Sequence, residues 1–263
     1  QHLAVTPLYG GMHPLVGSRT FTARTLWFLG YPKQALTRMD KALHEARELS
    51  HSFSLGIALA IAGMLYLWRR EEHVAQAQAE ATITLCNEHG FSEVLPLGTA
   101  NRGGALLVQE QWAEGVTQVR EGLKAYAAEL ARTGYLVWLA AGYRGAGQTE
   151  KGLAAVAEAL RLVEKNDERF YEAELYRIKG ELTLQWKVEE AEEYFLKAIE
   201  IAQKQHTKSL ELRASTSLAR LWQQQGKQAE AHQMLSIIYG WFTEGFETKD
   251  LQEAKTLLEG LNL

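Results

Sequence analysis

Apolar residues recur along the chain at the three- and four-residue spacing of amphipathic helices, in blocks that restart about every 40 residues. Each block follows a short turn and opens with a small residue, and the successive small residues lie 40, 40, 37, 39 and 40 positions apart. They are Ala35, Ala75, Gly115, Gly152, Ala191 and Ala231. This period predicts a structural unit that is repeated along the chain.

A second set of small residues precedes the first, usually by twelve positions. Two antiparallel helices joined by a short turn approach closely only where their crossing point lacks bulk, so paired small residues indicate a helical hairpin. The members are Ala23, Gly63, Gly103, Ala140 and Ala219, with Gly180 placed eleven before its partner. Larger apolar residues four positions after the opening residue, such as Met39, Val119 and Phe195, are expected to fill the surrounding core.

The pattern predicts six hairpins and one final helix. The first helices are expected at 18–29, 52–68, 93–110, 134–146, 170–185 and 209–225, and the second helices at 33–49, 72–89, 112–132, 149–165, 188–205 and 228–242. The final helix is expected at 249–261, with an apolar stripe that covers the end of the stack. The predicted organisation is an irregular N-terminal segment at 1–17, a repeat solenoid at 18–247 and a capping helix at 248–263.

The order of small residue, turn, small residue and larger apolar residue resembles tetratricopeptide-like repeats, although the period is longer than the usual ~34 residues. The segments TLWFLGYPKQAL at 25–36 and YGWFTEGFETKDLQEAK near the C-terminal end resemble the C-terminal region of bacterial class III adenylate or guanylate cyclases. They also resemble related signal-transduction ATPases similar to the maltose regulator. The resemblance implies an all-α fold, a right-handed superhelical solenoid of about six hairpins. The catalytic and ATPase domains of such proteins are not in this sequence, which contains no GxxxxGK[ST] motif and starts at Gln1, as expected for a piece of a longer protein.

Composition narrows the functional classes. The net charge of −4, from 28 basic and 32 acidic residues, provides no general attraction to nucleic acid or to anionic membranes. The apolar stretch at 53–68 is shorter than a typical spanning segment and is interpreted as a buried helix. Since Cys86 is the only cysteine, no intrachain disulfide can form, and a cytoplasmic location is expected.

Recognisable catalytic chemistry is absent from the sequence, which has no HExxH, GxSxG or GxGxxG motif in the required context. The glycine cluster at 142–147 is interpreted as a helix end, and the acidic residues at 189–193 as a helix start. The histidines are scattered, so no metal site is predicted. We therefore expect neither enzymatic activity nor a cofactor.

The predicted repeat architecture says more about function than the catalytic motifs do. The first helices of such repeats line one surface, which a partner can contact across several hairpins. The register and the resemblance place an apolar end and an arginine-rich end on this surface. The apolar end is expected to contain Trp27, Phe28, Ile57, Met64, Trp68, Leu97 and Gly104, and the arginine-rich end Arg144, Glu174, Arg177, Glu181, Arg213, Arg220 and Gln224. The aromatic residues are alternatively core residues, and the arginines alternatively pair with carboxylates of neighbouring helices.

Three functions follow from this surface. The first is a noncatalytic module that binds a protein or peptide within a larger bacterial signalling protein. The second is a sensor of a small anionic ligand held by the arginines, and the third is self-association through the end hairpins. The sequence leaves the oligomeric state open. Replacement of both Arg177 and Arg220 by Ala is expected to weaken the binding of an acidic partner and to leave the fold nearly intact.

Overall fold

In a computed structural model of the protein, the described residues are 11–126 and 132–261, and they form thirteen α-helices and no strand. The helices are α1 (Pro14–Phe28), α2 (Pro32–Glu48), α3 (Ser52–Trp68), α4 (Glu72–His89), α5 (Leu95–Val108), α6 (Trp112–Ala125), α7 (Arg132–Gly145), α8 (Thr149–Asn166), α9 (Glu172–Thr183), α10 (Val188–Lys204), α11 (Lys208–Gln224), α12 (Gln228–Tyr239) and α13 (Lys249–Leu261). The all-α prediction is confirmed for the described residues. Each predicted helix is found, and most helix ends lie at the predicted residue or within a few residues of it.

Two boundaries differ more than the others. Helix α1 begins at Pro14, so the last four residues of the predicted irregular segment are helical, whereas residues 1–10 lie outside the described residues. Proline is favourable in the first turn of a helix, because a backbone N–H at that position has no acceptor within the helix and its loss costs nothing. Helix α6 ends at Ala125 instead of continuing to 132, and residues 127–131 are also outside the described part.

The described residues divide into two compact units. The N-terminal unit contains 11–27 and 32–126, and the C-terminal unit contains Phe28–Tyr31 and 132–261. Within the N-terminal unit each helix from α2 to α6 packs on the next, and α3 also packs on α5. Within the C-terminal unit each helix from α7 to α13 packs on the next. Sequential packing of this kind is consistent with a helical repeat.

Odd-numbered helices form a second set of contacts in the C-terminal unit, where α7 packs on α9, α9 on α11, and α11 on α13. These four helices therefore lie side by side as one layer, and residues on their outer faces share a surface. Below this surface the core between α10 and α11 contains Phe195, Leu218 and Leu221. A second core, between α11, α12 and α13, contains Leu212, Leu235, Ile238, Leu251 and Ala254.

Small residues allow the close helix crossings that the sequence predicts. A Cβ atom added to Gly103 would lie 2.6 Å from the backbone nitrogen of Val119 and 2.9 Å from the carbonyl oxygen of Gly115. A Cβ on Gly180 would lie 3.1 Å from the carbonyl oxygen of Ala191. In these two hairpins the predicted small residues therefore mark the place where the two helices approach closely.

Candidate functional site

A network of arginines and carboxylates lies on the layer of odd-numbered helices in the C-terminal unit. Helical spacing brings its members to common faces, since residues three, four or seven positions apart lie on one side of a helix. They are Arg144 of α7, Glu174, Arg177 and Glu181 of α9, Arg213, Ser217 and Arg220 of α11, and Asp250 and Glu253 of α13. Six of the seven residues predicted for the arginine-rich end, all except Gln224, thus belong to this network.

Arg177 occupies the centre of this network. Its guanidinium group donates to both carboxylate oxygens of Glu174, with Nε and Nη2 each at 2.8 Å, and its Nη1 donates to Glu181. Planar, bidentate pairing of this kind is the strongest geometry that arginine offers to a carboxylate. The Arg177 side chain is only 16% exposed and is largely committed to these two carboxylates.

Glu181 connects three odd-numbered helices. Its carboxylate accepts from Arg177, from Arg144 Nη1 at 2.6 Å and from the hydroxyl of Ser217 at 2.9 Å. Arg213 extends the network to the last helix, since its Nε donates to Asp250 Oδ2 at 2.7 Å and its Nη1 lies 3.6 Å from Glu174 Oε1. The side chains therefore link α7, α9, α11 and α13 across their shared surface.

Burial and charge act in opposite directions on the two central carboxylates. Burial alone would raise the pKa of Glu174, but the charge and hydrogen bonds of Arg177, together with the charge of Arg213, outweigh it and lower that pKa. The pKa of Glu181 is also lowered, because Arg177, Arg144 and the Ser217 hydroxyl together outweigh the effect of burial. The same pairing raises the pKa of Arg177 against its own burial. All three groups are thus charged at neutral pH.

Arg144 and Arg220 are the accessible members of the network. Their side chains are 47% and 46% exposed, and each has an observed ion pair, Arg144 with Glu181 and Arg220 with Glu253 at 2.8 Å. A guanidinium group has five N–H donors, so one ion pair leaves donors for a second acceptor. These two arginines can therefore bind a partner from solvent while they hold their neighbours.

The predicted apolar end has a different environment. In the N-terminal unit Trp27, Met64 and Trp68 are buried, with Trp27 stacked on Trp68 at a ring-centroid distance of 5.0 Å. In the C-terminal unit Phe28 is buried against Tyr171, with ring centroids 5.7 Å apart. A partner would reach these four side chains only if the side chains around them moved.

The other four residues predicted for the surface differ in their exposure. Ile57 and Leu97 are half-buried, Gly104 is buried beside Leu67, and Gln224 is exposed. Of these four residues only Gln224, which is polar, is exposed.

The sequence prediction assigned α13 only an apolar stripe and missed its contribution to the network. Asp250 and Glu253 pair with Arg213 and Arg220 of α11. Their three-residue spacing places both carboxylates on one face, and this spacing was the available signal. Ser217 was also missed, although it lies between the two arginines on the same face of α11.

Among residues 11–126 and 132–261, no group of three or more His, Cys, Asp or Glu side chains could hold a metal ion. No helix within those residues is long and apolar enough to cross a membrane. Cys86 is buried, and burial raises the pKa of its thiol to about 11, so the thiol is protonated at neutral pH.

Comparison with known proteins adds no family assignment. No protein-family model matches the chain, and no curated protein matches it. A function for this chain is therefore inferred from its residues and their geometry.

Proposed function

We propose that this chain is a noncatalytic helical-repeat module that binds a protein or peptide, as the sensory or assembly region of a larger bacterial signalling protein. In this proposal the thirteen helices are six tetratricopeptide-like hairpins and a C-terminal capping helix, arranged as a right-handed solenoid. The observation that carries the proposal is the polar surface shared by α7, α9, α11 and α13. An extended partner can contact several helices of such a layer at once.

The charge balance of this surface favours a peptide over a small anionic ligand. Each of its four arginines has an observed carboxylate neighbour, Arg144 and Arg177 at Glu181, Arg213 at Asp250 and Arg220 at Glu253. A compact anion would have to compete with these carboxylates for the guanidinium groups. A peptide can instead add contacts at the two exposed arginines and along the rest of the layer.

Arg144 and Arg220 are the residues through which the proposal is best tested. Arg177 is less suitable than the sequence indicated, because it neutralises two largely buried carboxylates and its removal would disturb the fold as well as the surface. The two exposed arginines contribute less to folding, since ion pairs of exposed side chains contribute only about 0.2–1 kcal/mol.

The experiment is selection of peptides from a displayed random library against the full chain, followed by affinity measurements on the enriched peptides. Enriched peptides are expected to contain Asp or Glu, and the double variant R144A/R220A is expected to bind them about tenfold more weakly than the wild type. The matched control is R120A/R161A, which removes two exposed arginines from even-numbered helices. Equal affinity for the wild type and R144A/R220A would contradict the proposal, provided that both proteins melt at similar temperatures.

A further inference from the structure

The first half of α10 and the turn that precedes it leave three large apolar side chains exposed. Trp186, in the turn, is 62% exposed, Val188 is 38% exposed and Leu196 is 45% exposed. Within the part of the chain that the structure describes, the indole of Trp186 has neither a hydrogen bond nor a ring contact. Tryptophan is enriched among the residues that anchor protein interfaces. This part of α10 is therefore suited to contact with another protein surface.

Unpaired carboxylates accompany these apolar residues. Glu189 and Glu193 are exposed, and their spacing of four places them on one side of α10, which Leu196 shares. Neither carboxylate has a hydrogen bond or an ion pair with another described residue. The lysines next to them are already paired with other glutamates of the same helix. The exposed side of α10 thus combines apolar surface with uncompensated negative charge, and it fits a basic partner.

Helix α2 of the same chain has an exposed side of the opposite charge. Of its three acidic residues, Glu45 and Glu48 already have a basic or imidazole neighbour in the N-terminal unit, which leaves the carboxylate of Asp40. Three basic residues of α2 are exposed, and their side chains have no hydrogen bond or ion pair with another described residue. They are Arg38, Lys41 and Arg47. The exposed side of α2 therefore has an excess of positive charge.

We propose that the exposed side of α10 packs on the exposed side of α2 in a second copy of this chain, with the two helices antiparallel. The spacings match, since Lys41 placed opposite Glu189 brings Arg38 to within one residue of the position opposite Glu193. The helix dipoles favour the same direction, because the positive start of α10 then lies toward the negative end of α2. Two unpaired carboxylates thus meet two unpaired basic side chains.

The same arrangement gives Trp186 a place in the contact. With Lys41 opposite Glu189, the indole lies toward the last turn of α2, which carries Arg47. A guanidinium group stacks favourably on an indole ring, and burial of the ring adds a hydrophobic contribution. Since the two helix faces differ, each copy retains one face of each kind and can bind further copies. Neither face belongs to the layer of odd-numbered helices, so this inference goes beyond the proposed function and is independent of it.

Sedimentation velocity of the full chain at low salt, from about 1 to 300 μM, tests the inference over the range expected for a small interface. The average mass of the wild type is expected to rise with concentration. Reversal of either charge, in R38E/K41E or in E189K/E193K, is expected to leave the protein monomeric throughout. An equimolar mixture of these two variants is expected to associate again, because their reversed charges are complementary. The variant Trp186→Ala is expected to weaken association about fivefold.

The control variant is E150K/E164K, which makes the same change of charge at two exposed carboxylates of α8. It is expected to associate as the wild type does. Every substituted side chain in the four variants is exposed, so all of them are expected to melt near the wild-type temperature. The inference is overturned if the wild type stays monomeric, if E150K/E164K abolishes association as E189K/E193K does, or if the two reversed variants stay monomeric when mixed.

Two further outcomes would assign the contact differently. The variant R144A/R220A is expected to associate as the wild type does, and loss of association in that variant would place the contact on the odd-numbered helices and overturn the inference. A monomeric wild type that binds a lysine-rich peptide, with no binding to E189K/E193K, would assign the exposed side of α10 to a different basic partner and would also overturn it.

Discussion

The hairpin turns after α1, α3, α5, α7 and α11 each contain one residue in the left-handed backbone region. Positive φ angles occur at Gly30, Arg70, Glu110, Gly147 and Gly226, each the second residue after the end of an odd-numbered helix. At Glu110 the following amide, Gln111 N, donates to the carbonyl oxygen of Leu106 at 2.9 Å, which is the long-range bond of a Schellman cap. Glycine adopts this conformation without steric cost, whereas other residues incur a strain of about 1 kcal/mol.

The variant Glu110→Gly tests this strain. It is expected to raise the free energy of unfolding by about 0.5–1 kcal/mol, because glycine removes the clash at φ 62° while the cap hydrogen bonds remain. Urea denaturation provides the measurement. Glu121→Gly is the matched control, since Glu121 is exposed within α6 and glycine there should lower stability by about 1 kcal/mol. A loss of stability in Glu110→Gly would show that the turn does not have this conformation.

Close approach at Gly103 leads to a second prediction. The variant Gly103→Ala should destabilise the protein by more than about 1 kcal/mol, because its Cβ would lie 2.6 Å from the Val119 nitrogen and helix α6 would have to move. Gly260→Ala is the control, since its Cβ would meet only Gln223 Nε2, at 3.8 Å. In thermal melts, Gly103→Ala should therefore have a lower melting temperature than the wild type, and Gly260→Ala should have an equal or higher one. Equal melting temperatures would refute the assigned crossing point.

At the scale of helices, the arginine and carboxylate network makes stability depend on pH. The pKa values of Glu174 and Glu181 are lowered in the folded protein, so folding is favoured when both groups are charged. This contribution is fully present above their ordinary pKa of 4.5 and is lost as the pH falls through the lowered values. The C-terminal unit is accordingly expected to lose stability on acidification.

The variant Glu174→Gln isolates this contribution. It is expected to lower the unfolding free energy by about 1–3 kcal/mol at pH 7, since it removes the bidentate partner of Arg177. The difference from the wild type should shrink as the pH falls below the ordinary pKa of 4.5, and it should vanish below the lowered pKa of Glu174. Urea titrations from pH 7 to pH 3 provide the comparison, with the exposed Glu200→Gln as a control of little effect. A difference independent of pH would rule out an electrostatic origin.

The helices themselves were predictable from the sequence, because a helix period and a turn are local properties. Helices α3, α4 and α13 begin and end at the predicted residues. The carboxylate partners of the arginines were not predictable in the same way. Whether Arg213 meets Asp250 or Arg220 meets Glu253 depends on how α11 and α13 are rotated against each other, and side-chain packing in the core sets that rotation.

At the scale of the whole chain, the sequence indicated one stack of hairpins, and the structure describes two compact units. The predicted surface residues are distributed between them, with Trp27, Met64 and Trp68 in the N-terminal unit and the arginines in the C-terminal unit. Aromatic residues at helical spacing serve either as core or as binding anchors, and the sequence pattern is the same for both. Their burial in the structure is what distinguishes the arginine end as the candidate surface.

The central claim is that a partner binds to the layer of odd-numbered helices in the C-terminal unit. Hydrogen–deuterium exchange of the full chain, with and without a library-selected peptide, tests it most directly. The peptide is expected to slow exchange in α7, α9, α11 and α13, and to leave exchange in α8 and α12 unchanged. Slower exchange confined to even-numbered helices would contradict the account.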